Sequence, residues 1–481
     1  MSQKKKKTGT AVPPLDAHGW FEPLFHNDLF AAVLLLASAV VAMVCANLSL
    51  ELGALGTVAE FYHKMWHLDL GVAIHTWSVT QTLHLWINDG LMAIFFFLVG
   101  LEIKRELMVG ELATFRKAAL PIGAAVGGMV CPALIYTFFN YGTESAGGWG
   151  IPMATDIAFA VGVIGLLSGR VPFSLSVFLM ALAIVDDLGA VVVIAVFYTN
   201  TIAASQLLTG LALITFSAAL GYFGVRSSLV YAILFAIVWV EFLLSGVHAT
   251  VAGVLFAFTI PVDARYETHL FADRIRTLVS RFVLADDAAN PLQVNAEQQR
   301  LVTAIEQECL HVEAPLQRIE RLLHPMCALL IMPLFAFANA GVQLDLSEVG
   351  SMFTSNVTLG VMLGLLIGKQ VGITGFSWLM VKAGLAELPQ GVTWKQIYGV
   401  SVLGSIGFTM SLFITELAFS PGAQHANAVH AAPAVEHVLE DADAVETARR
   451  HNAESKLGVL SASLIAGVMG IGVLSAVTPR K

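Results

Sequence analysis

Long apolar blocks alternate with short polar breaks along nearly the whole chain. Residues 29–50, 91–101 with their flanks, 118–139, 173–198 and 229–244 are examples. An apolar run of about 18 or more residues is long enough to cross the hydrocarbon core of a bilayer as a helix. A hydrophobic window and the loop breaks together predict about twelve spans. They fall at 29–50, 89–104, 118–139, 149–167, 173–199, 207–224, 229–244, 248–260, 325–342, 358–381, 399–419 and 457–477. The fourth and eighth are short and Gly-rich. The expected fold class is an all-α polytopic membrane protein.

The same pattern divides the chain into segments. Residues 1–28 read as a cytoplasmic N-terminal tail, 29–261 as spans 1–8 and 262–324 as a cytoplasmic insert. Residues 325–420 hold spans 9–11, 421–456 a periplasmic insert, and 457–481 span 12 with a cytoplasmic C-terminus. Composition agrees: 57% of the 481 residues are hydrophobic and 13% charged, against about 25% charged in a soluble domain. The formal net charge is −9, with much of the acidity in the two inserts, so no nucleic-acid-binding surface is expected. The one basic run, residues 4–7, precedes an apolar stretch that starts late and exceeds a signal core of about 7–15 residues, so it reads as a retained first helix. Cys45, Cys131, Cys309 and Cys327 are scattered without a CxxC, which points to neither a metal knuckle nor a disulfide framework.

Loop charge gives the orientation. With the N-terminus in the cytoplasm, the inner loops hold Lys104, Arg105, Arg116, Lys117, Arg170, Arg226, seven arginines between 265 and 321, Lys382, Lys395, Arg480 and Lys481. The outer loops near 141–148, 200–205, 245–246 and 343–355 hold no Lys or Arg; the outer exceptions are Lys64, Arg449, Arg450 and Lys456. That asymmetry follows the positive-inside rule. The first insert contains a helix-compatible stretch at 297–309 and reads as a solvated linker with an interfacial helix. The second is Ala-rich with His425, His430, His437 and His451; metal binding or pH sensing is one reading, a loosely ordered periplasmic insertion the favoured one. His63 and His67 stand four apart, a spacing that can chelate zinc, yet beside Trp66 they read as interfacial packing.

Asp156, Asp186, Asp187 and Lys369 fall well inside the predicted spans. Each such charge costs about 2.5–3.5 kcal/mol on insertion scales, so the four require pairing, protonation or a wet cavity, and an intramembrane acid is a functional candidate by default. Asp186 and Asp187 point about 100° apart on a helix. One is placed to face an ion cavity and the other a neighbouring helix, where Lys369 is available as a partner. Around Asp156, Gly150, Pro152 and Thr155 loosen the helix; freed carbonyls, the Thr155 hydroxyl and carboxylate oxygens form a hard-oxygen environment suited to Na+ or Li+. Span 11 has a matching weakness at residues 404–409. Spans 3–5 and 10–12 therefore look like inverted repeats, each with a discontinuous middle helix, the fourth and the eleventh, which are expected to cross.

The segments ATDIAFA (154–160) and AIVDDLGA (183–190) strongly resemble the NhaA-type Na+/H+ antiporters. So do WIND (86–89) with GLEIKREL (100–107), PLFAFANAG (333–341) and GSIGFTMS (404–411). The resemblance covers nearly every span and leaves out the two inserts. It implies that Asp187 is the principal Na+-binding and proton-accepting carboxylate, and that Asp186 pairs with Lys369 and joins in proton exchange. Thr155 and Asp156 would sit at the crossing, with Asp156 balancing the positive half-helix ends. Asp187, Asp186 and Thr155 would form the Na+ ligand set. Glu102, Arg105, Glu106, Glu320 and His324 would line a pH-sensing cytoplasmic entrance. A homodimer joined partly through residues 69–80 is also implied. Two departures stand out: Arg321 where many members have His, and Gln370 where Pro is usual.

The expected function is electrogenic, pH-regulated Na+/H+ antiport in a bacterial inner membrane, extruding Na+ and Li+ against entering H+, with two protons per Na+ implied by the resemblance. Na+, Li+ and H+ are substrates; no cofactor and no enzymatic activity are expected. The alternatives are a proton-coupled carrier of another small solute, which needs a larger recognition pocket, and an intramembrane aspartyl protease, which needs a GxGD-like motif that the chain does not show.

Overall fold

The computed structural model describes residues 28–48, 54–74, 77–167, 169–199, 202–263, 268–285, 295–343, 349–419 and 441–478. The first spanning helix is α1 (Asp28–Asn47), followed by the shorter α2 (Ala54–Trp66). A hairpin, β1 (Asp69–Ile74) and β2 (Trp77–Thr82), comes next, paired antiparallel from Asp69 against Thr82 to Ile74 against Trp77. Among the described residues this hairpin is the one sheet in an otherwise helical fold. On α2 the Tyr62 hydroxyl donates to Phe337 O at 2.8 Å, and burial pushes the phenol up to about 12, so it stays a donor. His63 lies 2.9 Å from the Gln343 amide. Among the described residues no group of three metal-ligating side chains occurs.

The membrane body follows. It comprises α3 (Leu83–Met108), α4 (Phe115–Asn140), a 3-10 segment (Glu144–Met153) leading into α5 (Ile157–Leu166), α6 (Phe173–Phe197), α7 (Ala204–Tyr222) and α8 (Ser228–Ser245). After these come the short α9 (Ala249–Ala257) and the paired α10 (Thr268–Leu284) and α11 (Ala296–Val312). The last set is α12 (Pro315–Asn339), α13 (Asn356–Lys382), α14 (Trp394–Leu403), α15 (Phe408–Phe419) and α16 (Asp441–Val477).

Among the described residues, ten helical segments are long and apolar enough to cross a membrane, and α14 with α15, bent by 47° at their break, makes an eleventh. The predicted eighth span is α9, only nine residues. At 1.5 Å per residue it covers less than half of a core about 30 Å thick. Its carboxyl end is closed by Lys104, whose ammonium donates to the carbonyls of Phe258 at 2.8 Å and Ile260 at 2.5 Å. Lys104, read in sequence only as a loop charge, thus serves as a helix cap.

Three boundaries move outward from their predicted places. Span 2 begins at Leu83 and span 9 at Pro315. Pro325 lies inside the helix, which widens into a π turn just after it, at Cys327–Ile331. Span 12 begins at Asp441, so 441–456, expected to be loosely ordered, is helical and continuous with the span. Local pairing supports it: Arg450 Nε donates to Glu454 Oε1 at 3.0 Å, and the Glu454 carbonyl accepts from Thr358 Oγ1 at 2.9 Å. His451 lies against the Phe419 ring; His425, His430 and His437 lie outside the described residues. In the first insert the expected helix is present as α11, and α10 pairs with it, bridged by Arg274 and Glu308 at 3.1 Å.

Two triplets of the same order, long–interrupted–long, form the centre: α4, α5, α6 and α13, α14/α15, α16. Their long members α4 and α13 meet backbone to backbone at Gly127 and Gly372. A Cβ on Gly372 would lie 2.0 Å from Gly127 O, and one on Gly127 2.3 Å from Gly372 O. Only glycine permits that approach, and it brings Lys369, one turn before Gly372, into the core.

Candidate functional site

The two interrupted spans meet where their helical hydrogen bonding stops. Residues 154–156 are extended between the 3-10 segment and α5, so Asp156 is free to cap α5. Its Oδ1 accepts from Phe159 N at 3.0 Å. Its Oδ2 accepts from Thr409 N at 3.1 Å and Thr409 Oγ1 at 2.6 Å. One carboxylate therefore holds the amino ends of both half-helices, α5 and α15, where the helix dipoles concentrate positive charge. The chains also touch directly: Asp156 N donates to Ile406 O at 2.7 Å, and Ser411 Oγ to Ile151 O at 2.8 Å.

The carboxyl end of α14 is met by Thr155, whose hydroxyl donates to Gly404 O at 2.9 Å and accepts from Lys369 Nζ at 2.7 Å. Lys369 closes a π segment, Gly364–Lys369, in α13, a widened turn of the kind found at functional sites. Its ammonium also donates to Asp186 Oδ2 at 2.5 Å. Both side chains are almost fully buried.

Asp187 stands apart from this pairing. It is 1% exposed, and neither carboxylate oxygen has a hydrogen-bond partner among the described residues; the same holds for Asp186 Oδ1. The charges acting on the Asp187 carboxyl come from Asp186, Asp156, Glu102 and Lys369. Three carboxylates, a hydroxyl and a lysine thus share one buried locality. The hard oxygens suit an alkali cation, and the single lysine leaves the group net negative.

The structure also gathers the predicted entrance. Arg105 Nη1 lies 3.0 Å from Glu320 Oε1, and Arg105 Nη2 3.4 Å from Glu106 Oε1. Glu102 and His324 add their charges to the same group. Glu106 also accepts from Glu111 N at 3.0 Å. Arg321 turns away to Glu313 at 2.8 Å. Gln370, the other departure, accepts from the Tyr398 hydroxyl at 2.9 Å.

A family model described as Na+/H+ antiporter 1 matches residues 22–474. The chain belongs to the Na+/H+ antiporter 1 family. It is similar to Na+/H+ antiporter NhaA 1 of Saccharophagus degradans, 45% identical over 450 residues that cover 94% of this chain and 90% of that protein. It is 44% identical over 450 residues to the NhaA antiporter of Wolinella succinogenes, covering 94% and 91% of the two chains. It is 41% identical over 454 residues to the NhaA antiporter of Helicobacter pylori, covering 94% of each. Na+/H+ antiport is accordingly the activity of this transporter, and Na+ and H+ are its transported ions.

Two polar groupings of the antiporter had no counterpart in the sequence reading. Asn88 and Asn339 exchange side-chain hydrogen bonds at 2.8 and 3.3 Å, with His84 3.1 Å from Asn339 Oδ1. Glu416 and Lys456 form a buried ion pair. Glu416 inside an apolar run was the available signal for the second; Lys456, placed in the polar insert, concealed its partner.

Proposed function

We propose that Asp187 is the carboxylate at which Na+ and H+ compete. The observation that carries this is its burial with neither oxygen hydrogen-bonded among the described residues, beside an Asp186 already paired with Lys369. An unpaired buried anion costs several kcal/mol; a cation or a proton removes that cost, and one carboxylate does not hold both fully. Asp186 Oδ1 and the Thr155 hydroxyl are the nearby oxygens that would complete the cage. Asp156 sets its floor by holding α5 and α15 together.

In the alternating-access cycle that follows, Na+ displaces protons from the inside and protons displace Na+ from the outside. Interacting carboxylates titrate as a set. Asp187 together with the Asp186–Lys369 pair provides for two protons per Na+, hence an electrogenic exchange. Li+, smaller and equally hard, is a second substrate on this reading. The cluster of Glu102, Arg105, Glu106, Glu320 and His324 is the entrance where pH regulates access. The inner-loop lysines and arginines support an inner-membrane orientation with both termini cytoplasmic. The β1–β2 hairpin offers main-chain edges through which a second copy would pair to give a homodimer.

The test is Asp187→Asn in everted vesicles. Na+-driven dequenching of a pH dye should disappear while the protein remains folded and inserted. Normal dequenching would refute the assignment of Asp187.

A further inference from the structure

A second buried ion pair lies away from the Asp156–Asp187 site, towards the far end of the same half-helix. Lys456 Nζ is 2.6 Å from Glu416 Oε1, with the two side chains 10% and 6% exposed. Asn452 Nδ2 donates to the same oxygen at 3.2 Å. One residue earlier on each helix, Thr415 Oγ1 and Ser455 Oγ are 2.8 Å apart. At the other end of α15, Phe408 N donates to Ser463 Oγ at 3.2 Å. Thr415 to Phe408 and Ser455 to Ser463 are each about two helical turns. The helices therefore run antiparallel in one register, with polar contacts clamping both ends of α15.

Stability alone does not account for a charge pair here. Replacing a buried pair with well-packed apolar groups is often neutral or stabilising, whereas removing one partner is costly. The equivalent half-helix of the other triplet, α5, carries no charged residue, so half-helices in this fold do not require one. Glu416 also sits near the carboxyl end of α15, where the helix dipole is already negative and no basic residue of α15 compensates it. Lys456 offsets both.

We propose that Glu416 and Lys456 are positioning residues for cation exchange. The pair fixes the height and rotation of α15 against α16, and so sets where the Thr409 amide and hydroxyl meet Asp156. The proposal rests on the reading of Asp156 and Asp187 given above, and it needs no contact between the pair and the ion.

The test compares three variants in proteoliposomes. Glu416→Leu/Lys456→Met removes the charges together. It should purify with a Tm near that of the unaltered protein, but raise KM for Na+ about tenfold, which is about 1.4 kcal/mol, with a smaller change in maximal rate. Glu416→Lys/Lys456→Glu keeps a pair with reversed polarity and should return KM to within about twofold. Glu416→Asp keeps the charge on a shorter arm and should raise KM while the protein stays folded, so it decides the matter if the apolar double variant does not fold. Unchanged KM in a folded apolar double variant, or in Glu416→Asp, overturns the proposal. Asp187→Asn separates the two claims: if it abolishes exchange while the pair variants keep normal KM, only the positioning role fails.

Discussion

Lys369 Nζ lies 2.5 Å from Asp186 Oδ2, while Asp187, the next residue, has neither oxygen bonded among the described residues. Adjacent residues on α6 thus differ: Asp186 is paired with Lys369 of α13, while Asp187 has no such partner among the described residues. Lys369→Met should therefore strand Asp186. Breaking a buried pair from one side costs about 3–5 kcal/mol, so Tm in detergent should drop clearly. Asp186→Asn/Lys369→Met removes both charges and should recover most of that loss. A double variant as unstable as the single one would show that the pairing is not what stabilises this contact.

The Thr409 hydroxyl donates to Asp156 Oδ2 across the two interrupted spans at 2.6 Å. Thr409→Val keeps the side-chain volume and the backbone donor but deletes the hydroxyl. A hydrogen bond to a charged group contributes about 1.5–3 kcal/mol, so apparent Na+ affinity should fall about tenfold or more, since α15 is then held to Asp156 by its amide alone. Thr409→Ser should retain near-normal affinity. Equal loss in both variants, read from Na+ titrations of exchange, would count against this contact.

The opposite charges of Asp186 and Lys369 were legible in sequence because they share a depth in neighbouring apolar runs, and the breaks around Thr155 and Gly404 were legible from Gly and Pro. The dual cap made by Asp156 was not derivable from local pattern, since Thr409 is more than 250 residues away. The Glu416–Lys456 pair was hidden by a boundary: a polar stretch preceding an apolar run reads as loop, yet 441–456 continues the helix of span 12. The π segments at Gly364–Lys369 and Cys327–Ile331 leave no compositional mark. The eighth span already read as short and Gly-rich; hydropathy is blind only to where its helical bonding ends, which leaves α9 at nine residues.

Gly127 and Gly372 put α4 and α13 in backbone contact, and a Cβ on Gly372 would meet Gly127 O at 2.0 Å. Gly372→Ala should force the helices apart at a cost of about 1–3 kcal/mol. Exchange should be impaired beyond the Tm loss, because Lys369 is displaced with them. Gly375, one turn further on, has nothing within 4 Å of an added Cβ. Gly375→Ala is the matched control and should leave Tm unchanged or slightly raised. If the two alanines behaved alike in a thermal melt, helix contact at Gly372 would not be limiting.

In the cluster proposed as the entrance, Arg105 faces Glu320 at 3.0 Å and Glu106 at 3.4 Å, with its side chain about one-third exposed. Such partly solvated pairs are worth about 0–1 kcal/mol, so Arg105→Gln should scarcely alter Tm. Its effect should fall on the pH profile instead. A positive charge beside carboxyl groups in general eases their loss of a proton, and its removal has the opposite effect. If proton release at this cluster opens access to Asp187, the midpoint of exchange should move in the alkaline direction. Arg105→Lys, which keeps the charge, should stay close to the unaltered profile. Raising ionic strength should narrow the gap between Arg105→Gln and the unaltered protein, since salt screens exposed charges over about 10 Å at 0.1 M. Na+/H+ exchange measured from about pH 6 to about pH 9 reads all three effects, and a midpoint that stays put or moves to acid in Arg105→Gln removes this cluster from pH control.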